Sequence, residues 1–263
     1  MLIHHKSFPF SSISEHISAI DGWLSDREAL FLYASALRSR EIKGNIVEIG
    51  SWKGKSTVCL AWALKGTKKI AYAVDPHEGI RFNKGKSTEH STYPIFRKNL
   101  RKAGVLSIVK PIVKTSVRAS RTFQDNVSLL FIDGLHDYGN SKQDCMHWEP
   151  FLSDGGTIAF HDAYCGTKGV FRTISELFEE GNCTDVSVVG SIIYAKKNLH
   201  AGFFRKIFFR YRFLVIRLFQ WIFRNATILP LWSRFLLCHR IDKVFLYTPV
   251  DIEMRKQSGR YIW

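Results

Sequence analysis

The sequence has no Cys-x-x-Cys pair, no uninterrupted apolar run of roughly 18 residues, no internal repeat and no low-complexity linker. Each absence excludes something. Five scattered cysteines (Cys59, Cys145, Cys165, Cys183, Cys238) argue against a disulfide framework or a structural zinc site and fit a reducing compartment. Without a long apolar run, a conventional spanning helix is not expected. The N-terminus lacks a basic segment followed by an apolar core and a cleavage site, so no signal peptide is expected. What the chain does have is 46% hydrophobic residues, which excludes wholesale disorder, and a net charge of +15. The charge is uneven. Residues 199–263 hold twelve Lys/Arg against three Asp/Glu, +9 of the +15, leaving +6 for the first 198 residues.

Apolar periodicity divides the body into alternating strands and helices. Residues 12–39 read as two helices with an aromatic and leucine-rich face (Trp23, Leu24, Leu30, Phe31, Leu32), the second started by a Ser25/Glu28 capping box. Strands are expected at 45–49, 70–75, 108–113, 128–132 and 156–160. Helices are expected at 55–65, 93–103, 117–123, 139–149 and 168–179. Such alternation implies a parallel sheet covered by helices on both faces. Val186–Val189, Gly190-Ser191 and Ile192–Ala195 read instead as a hairpin, which adds an antiparallel strand.

Residues 46–57 (Ile-Val-Glu-Ile-Gly-Ser-Trp-Lys-Gly-Lys-Ser-Thr) give a strand, a turn with Gly50 and Gly54, and a helix start, the arrangement that lets a nucleotide-like ligand lie against bare backbone. The turn lacks the third glycine of the dinucleotide fingerprint and the ending of a phosphate-binding P-loop. Glu48 would repel phosphate but suits a ligand carrying an ammonium group, as S-adenosylmethionine does. The next strand closes on Asp75, where nucleoside-binding folds place a carboxylate for the ribose hydroxyls. The fourth strand runs into Asp133-Gly-Leu-His136-Asp137-Tyr138 and the fifth into His161-Asp162, so both clusters fall on the rim carrying Glu48 and Asp75.

Together the motifs Glu48–Ser56, Asp75, Ile132–Tyr138, Asp144 and Gly155–Asp162 resemble the class I S-adenosylmethionine-dependent O-methyltransferases, in the branch joining catechol-type with macrolide-sugar and other small-molecule enzymes. The resemblance spans roughly residues 45–195. It implies an α/β, Rossmann-like sheet, mostly parallel, ending in an antiparallel hairpin strand. It places Glu48, Gly50, Ser51, Trp52, Gly54, Ser56, Asp75, Ser116 and Asp133 around the cofactor. It makes Asp133, His161 and Asp162 ligands of Mg²⁺ or Mn²⁺, and His136 a general base with Asp133 and His161 beside it. The relatives carry two oxygen donors at the fifth-strand pair, whereas His161 is an imidazole, better suited to Mn²⁺, Fe²⁺ or Zn²⁺ than to Mg²⁺, or to service as a second base.

Three regions follow: an N-terminal helical cap (1–44), the cofactor-binding domain (45–198) and a basic tail (199–263). In the tail, residues 203–224 form an amphipathic helix. Arg205, Lys206, Arg210, Arg212, Arg217, Gln220 and Arg224 define its polar half, on which Phe209, Phe213, Ile216 and Phe223 intrude. A second apolar stretch follows at 229–237. Such a helix reads as lying on an anionic membrane surface. The alternatives are packing on its own domain or a twin subunit, and, less favoured, nucleic acid. The expectation is a cytoplasmic enzyme, peripheral on the cytoplasmic face of the membrane, methylating a hydroxyl of a sugar or glycolipid in surface-glycan assembly. The loop at 76–92 and the N-terminal helices would cover the substrate. Its rivals are a soluble natural-product small-molecule methyltransferase with a dimerising tail and a non-catalytic membrane adaptor.

Overall fold

The computed structural model describes residues 10–79, 91–164, 168–179 and 182–225. Two helices, α1 (Ser11–Ser18) and α2 (Asp26–Ser39), precede the first strand. Ser25 and Glu28 form the expected capping box: the Ser25 N–H donates to Glu28 Oε2 at 2.9 Å, and the Glu28 N–H returns to Ser25 Oγ at 3.4 Å. Trp23 departs from the expectation. It lies in the connection between the two helices, 69% exposed, and its ring stacks on Trp52.

The chain then alternates through β1 (Asn45–Ile49), α3 (Lys55–Ala63), β2 (Ala71–Val74), α4 (Tyr93–Lys102), β3 (Val109–Ile112) and α5 (Ser116–Ser120). It continues through β4 (Val127–Ile132), α6 (Tyr138–Trp148), β5 (Leu152–Phe160) and α7 (Lys168–Glu179), ending with β6 (Cys183–Val189), β7 (Ile192–Lys197) and α8 (Phe203–Asn225). The seven strands lie in the order β3-β2-β1-β4-β5-β7-β6. Five pair in parallel, and β7 inserts antiparallel between β5 and β6. Val47, Ile49, Leu130 and Ile132 serve one face of the sheet, while Ile46, Leu129 and Phe131 serve the other, the period-2 alternation of a sheet buried on both sides. α1, α2, α3 and α4 cover the face carrying Ile46, whereas α6, α7 and α8 cover the face carrying Val47.

The strand order reverses between β1 and β4, so the crevice above their carboxyl ends is the place where open parallel sheets bind ligands. Register aligns Glu48 with Ala73 and Phe131, and Ile132 with Phe160. Asp75, Asp133 and His161 therefore emerge side by side just beyond the strand ends.

α8 corrects the simple two-halved wheel. Phe209, Phe213 and Ile216, which intrude on the polar half, are its buried stripe, together with Gln220. Phe209 and Phe213 meet Phe178 of α7 at ring-centroid distances of 5.1 and 5.0 Å, and the helix lies along β6. Gln220 Nε2 donates to the carbonyls of Ala163 and Tyr164 at 3.3 and 3.1 Å. The apolar stretch at 229–237, most of the loop at 76–92, Cys165 and Cys238 lie outside the described residues.

Candidate active site

The cofactor side of the rim is built mainly from backbone. Gly50 has φ +86°, and a Cβ there would stand 2.2 Å from the Asp133 carbonyl oxygen, so only glycine lets β1 turn this close to β4. Ser51 and Trp52 follow, their N–H groups donating to Asp75 Oδ2 at 2.9 and 2.7 Å. A third backbone donor, His77 N–H, reaches Asp75 Oδ1 at 2.6 Å. The carboxylate at the end of β2 is thus oriented by three N–H groups, and each oxygen keeps lone-pair capacity for a further donor. Gly54 is the N-cap of α3, with Ser56 buried in the first turn. Ser116 begins α5 and donates its hydroxyl to Asp144 Oδ1; burial pushes the Asp144 carboxyl up to about 6 against that bond.

Glu48 lies beneath this turn and is 1% exposed. Thr57 Oγ1 donates to its Oε2, while Oε1 has no hydrogen-bond partner among the described residues. Burial pushes the carboxyl up to about 8, opposed by Ser56 and Thr57 and reinforced by Asp133 and Asp75. Ser51 Oγ and Trp52 Nε1 are likewise buried without a partner. Buried polar atoms left open next to a glycine turn are what a bound polar ligand would satisfy. The donors and acceptors fit a ligand carrying both hydroxyls and an ammonium group.

The β4–β5 side is built from charges instead. Asp133 Oδ1 lies 3.2 Å from His161 Nδ1 and 3.5 Å from His136 Nε2. Asp162, with φ +50°, approaches His161 Nδ1 at 3.6 Å and His136 Nδ1 at 3.4 Å. On the far side His161 Nε2 faces Glu28 Oε2 at 3.8 Å. Burial alone would lower the His161 pKa, but Asp133 and then Glu28 outweigh it and hold the imidazole up at about 11. Glu28 responds in kind: burial favours its neutral form, yet His161 and Ser25 draw its carboxyl down to about 2. Asp133 is also lowered, burial notwithstanding, by His161 and His136. The row Glu28–His161–Asp133, buried at its first two members and partly exposed at Asp133, is therefore carboxylate–imidazolium–carboxylate. His136 is different: a third of its side chain is exposed, and contact with Asp133 raises its pKa against burial.

Asp133, His161 and Asp162 stand together, but they do not fit a divalent ion in this arrangement. His161 is held between carboxylates, with Nδ1 facing Asp133 and Nε2 facing Glu28 on the far side. Among the described residues, no group of three or more His, Cys, Asp or Glu is arranged to hold a metal.

Two residues escape a sequence reading. Glu28 looks fully explained by its capping box, yet it also accepts from Ser191 N–H at 2.7 Å and Ser191 Oγ at 2.8 Å. A Cβ on Gly190 would stand 2.5 Å from Glu28 Oε1, so the hairpin turn needs its glycine to admit the carboxylate. His77 is 1% exposed beside Asp75, bonded through Nδ1 to Thr92 Oγ1 at 2.9 Å, and burial lowers its pKa. Its only sequence signal is adjacency to the strand-end carboxylate.

A family model described as a methyltransferase domain matches residues 47–163, which include the glycine turn, Asp75, Asp133, His136, His161 and Asp162. The chain carries a methyltransferase domain on a Rossmann-like sheet. Solved structures share the fold of this methyltransferase at low identity. The O-methyltransferase NovP is 15% identical over 67% of this chain and 83% of its own, with a TM-score of 0.54. An O-methyltransferase from Bacillus cereus in complex with SAH is 18% identical over 75% and 94%, with a TM-score of 0.50. TomG from Streptomyces achromogenes, an O-methyltransferase involved in tomaymycin synthesis, was solved with SAM; it is 16% identical over 75% and 92%, with a TM-score of 0.52.

Proposed function

We propose that this methyltransferase transfers a methyl group to a hydroxyl oxygen of a small-molecule acceptor, with His136 as the general base. The observation that carries the reading is the placement of His136: partly exposed, between Asp133 and Asp162, on the same rim as the open polar atoms of the glycine turn. When bound, S-adenosylmethionine supplies an electrophilic methyl carbon. Glu48 would face its ammonium group, Asp75 its ribose hydroxyls, and Gly50, Ser51, Trp52, Gly54, Ser56 and Ser116 the surfaces between. His136 Nδ1, on the exposed side next to Asp162, takes the acceptor's hydroxyl proton, while Asp133 beside Nε2 stabilises the imidazolium that forms. His161 is too buried to touch an acceptor. It acts as a positioning residue, its charge holding Asp133 ionised and in place.

The names of the structural neighbours favour a small-molecule acceptor of the natural-product kind over one in surface-glycan assembly, since TomG acts in tomaymycin synthesis. A sugar hydroxyl remains within that class. The metal-assisted form of the reaction has less support, because among the described residues no group of three or more His, Cys, Asp or Glu is arranged to hold a cation.

Calorimetric titration with S-adenosylmethionine, followed by methyl-transfer assays on hydroxylated small molecules with and without EDTA, tests the reading. Binding and turnover that both survive EDTA, with turnover but not cofactor binding lost in His136→Ala, are the expected result. Turnover abolished by EDTA and restored by Mg²⁺ or Mn²⁺ would reinstate the metal-assisted form. A folded protein that binds no cofactor would be an adaptor that keeps the fold.

A further inference from the structure

Opposite its buried stripe, α8 presents an outward strip of large apolar side chains. Phe203, Phe204, Phe208, Tyr211, Leu214 and Leu218 are each more than half exposed. At about 100° per residue, the strip is flanked on both sides by cations: Arg205 and Arg212 along one edge, Lys206, Arg210 and Arg217 along the other. The helix therefore has three zones: a stripe seated on α7 and β6, two basic rails, and an apolar ridge facing away from the body. Monomeric proteins rarely expose a contiguous apolar surface of this size without using it.

We infer that this ridge docks on a lipid surface bearing anionic headgroups. Charge complementarity selects that occupant. Residues 203–225 contain no Asp or Glu, so the ridge seeks a partner that is apolar in the middle and negative at both edges. A bilayer interface has that profile: the ridge enters the acyl boundary while the arginine and lysine stems extend outward to phosphate. A second copy of the same face would bring rails of like charge together. Residues 226–263 carry six Lys/Arg against three Asp/Glu, so they do not supply the missing negative charge either. No described helix is long and apolar enough to cross a membrane, so the attachment lies along the surface. Gln220 bonds the carbonyls of Ala163 and Tyr164, directly after Asp162, so docking sets the catalytic rim near that surface.

This inference does not depend on the methyl-transfer reading. The full chain is sedimented with phosphatidylcholine vesicles with and without phosphatidylglycerol, beside Leu214→Glu/Leu218→Glu and Arg210→Glu/Arg217→Glu variants. Thermal melting and light scattering are run on each. The expected result is binding to the anionic vesicles alone, weakened by salt and reduced at least about tenfold in both variants at unchanged melting temperature. Binding that ignores lipid charge, or that both variants retain, would overturn it. So would a dimer in solution that the Leu214→Glu/Leu218→Glu variant dissolves, which would assign the ridge to a second copy. Failure of S-adenosylmethionine binding in the same preparation would count against the methyl-transfer reading and leave the vesicle result standing.

Discussion

The two halves of the catalytic rim are built on opposite plans. Beyond β1 and β2, backbone amides orient one carboxylate, and several buried polar atoms have no partner among the described residues: Glu48 Oε1, Ser51 Oγ and Trp52 Nε1. Beyond β4 and β5, alternating carboxylates and imidazoles hold one another in a continuous chain from Glu28 to Asp162. A half that awaits a ligand leaves its hydrogen-bonding capacity open. A half that moves a proton, as proposed for this one, needs its charges fixed beforehand, because electrostatic preorganisation helps only if it does not rearrange during reaction.

Removing the proton acceptor strikes the second half hardest. His136→Ala is expected to lower kcat by about 10²–10⁴-fold while cofactor affinity by calorimetry stays within twofold, roughly the range for loss of a general base. Asp75→Ala breaks the first half. With the ribose acceptor and the tether for Ser51 and Trp52 both gone, Kd for S-adenosylmethionine should rise by about 10–100-fold, the cost of losing hydrogen bonds to a charged group. An Asp75→Ala variant with unchanged Kd would erase the distinction between the halves.

Glu28→Gln keeps the side chain's shape but removes the anion facing His161, and its single oxygen can serve either the Ser25 cap or Ser191. A fall of about tenfold in kcat with unchanged cofactor Kd is expected, with a melting temperature lower by only a few degrees. Equal loss in Kd would mean that the two halves are not separable.

The smallest effect is a pH dependence. The Glu48 carboxyl, raised to about 8, is protonated in the free protein at neutral pH. If it meets the cofactor's ammonium group it binds better ionised. Affinity should therefore climb as pH rises from about 6 to 8, by less than about tenfold per unit, and level off above. Glu48's own contribution to stability runs the other way. The folded state holds the proton more tightly than the unfolded chain, so that contribution declines as pH rises from the ordinary carboxyl range through 8. Glu48→Gln should flatten the affinity profile, and calorimetry in buffers of different ionisation enthalpy would detect proton release.

What could be read from sequence followed the range of the signal. Apolar runs closing on Glu48, Asp75, Asp133 and His161 mark strands, and alternation with helices implies a parallel sheet, so the sequence alone puts those residues toward one rim. Contacts across the chain carry no such signal. Glu28 satisfies a local motif so completely that nothing in residues 25–28 points to Ser191, 163 positions away. The wheel of α8 separates stripes by polarity, but the choice of stripe for the body depends on the surface offered by α7 and β6. There Phe178 favours Phe209 and Phe213 over the larger apolar strip. Trp23 fits a helix face by periodicity, yet stacking on the Trp52 ring places it at the mouth of the site.

Glu28 also bears on how such enzymes can be recombined. Its segment precedes the glycine turn and lies outside the residues that the methyltransferase domain model matches, so a designer could treat it as exchangeable. Yet its carboxylate is the far counter-ion of the buried imidazolium and the acceptor that fixes the hairpin turn at Ser191. A chimera taking residues 45 onward from this chain and its leading helices from another would inherit an intact glycine turn and a row of paired charges missing one end. To work, the donor helix must bring an acid to that place.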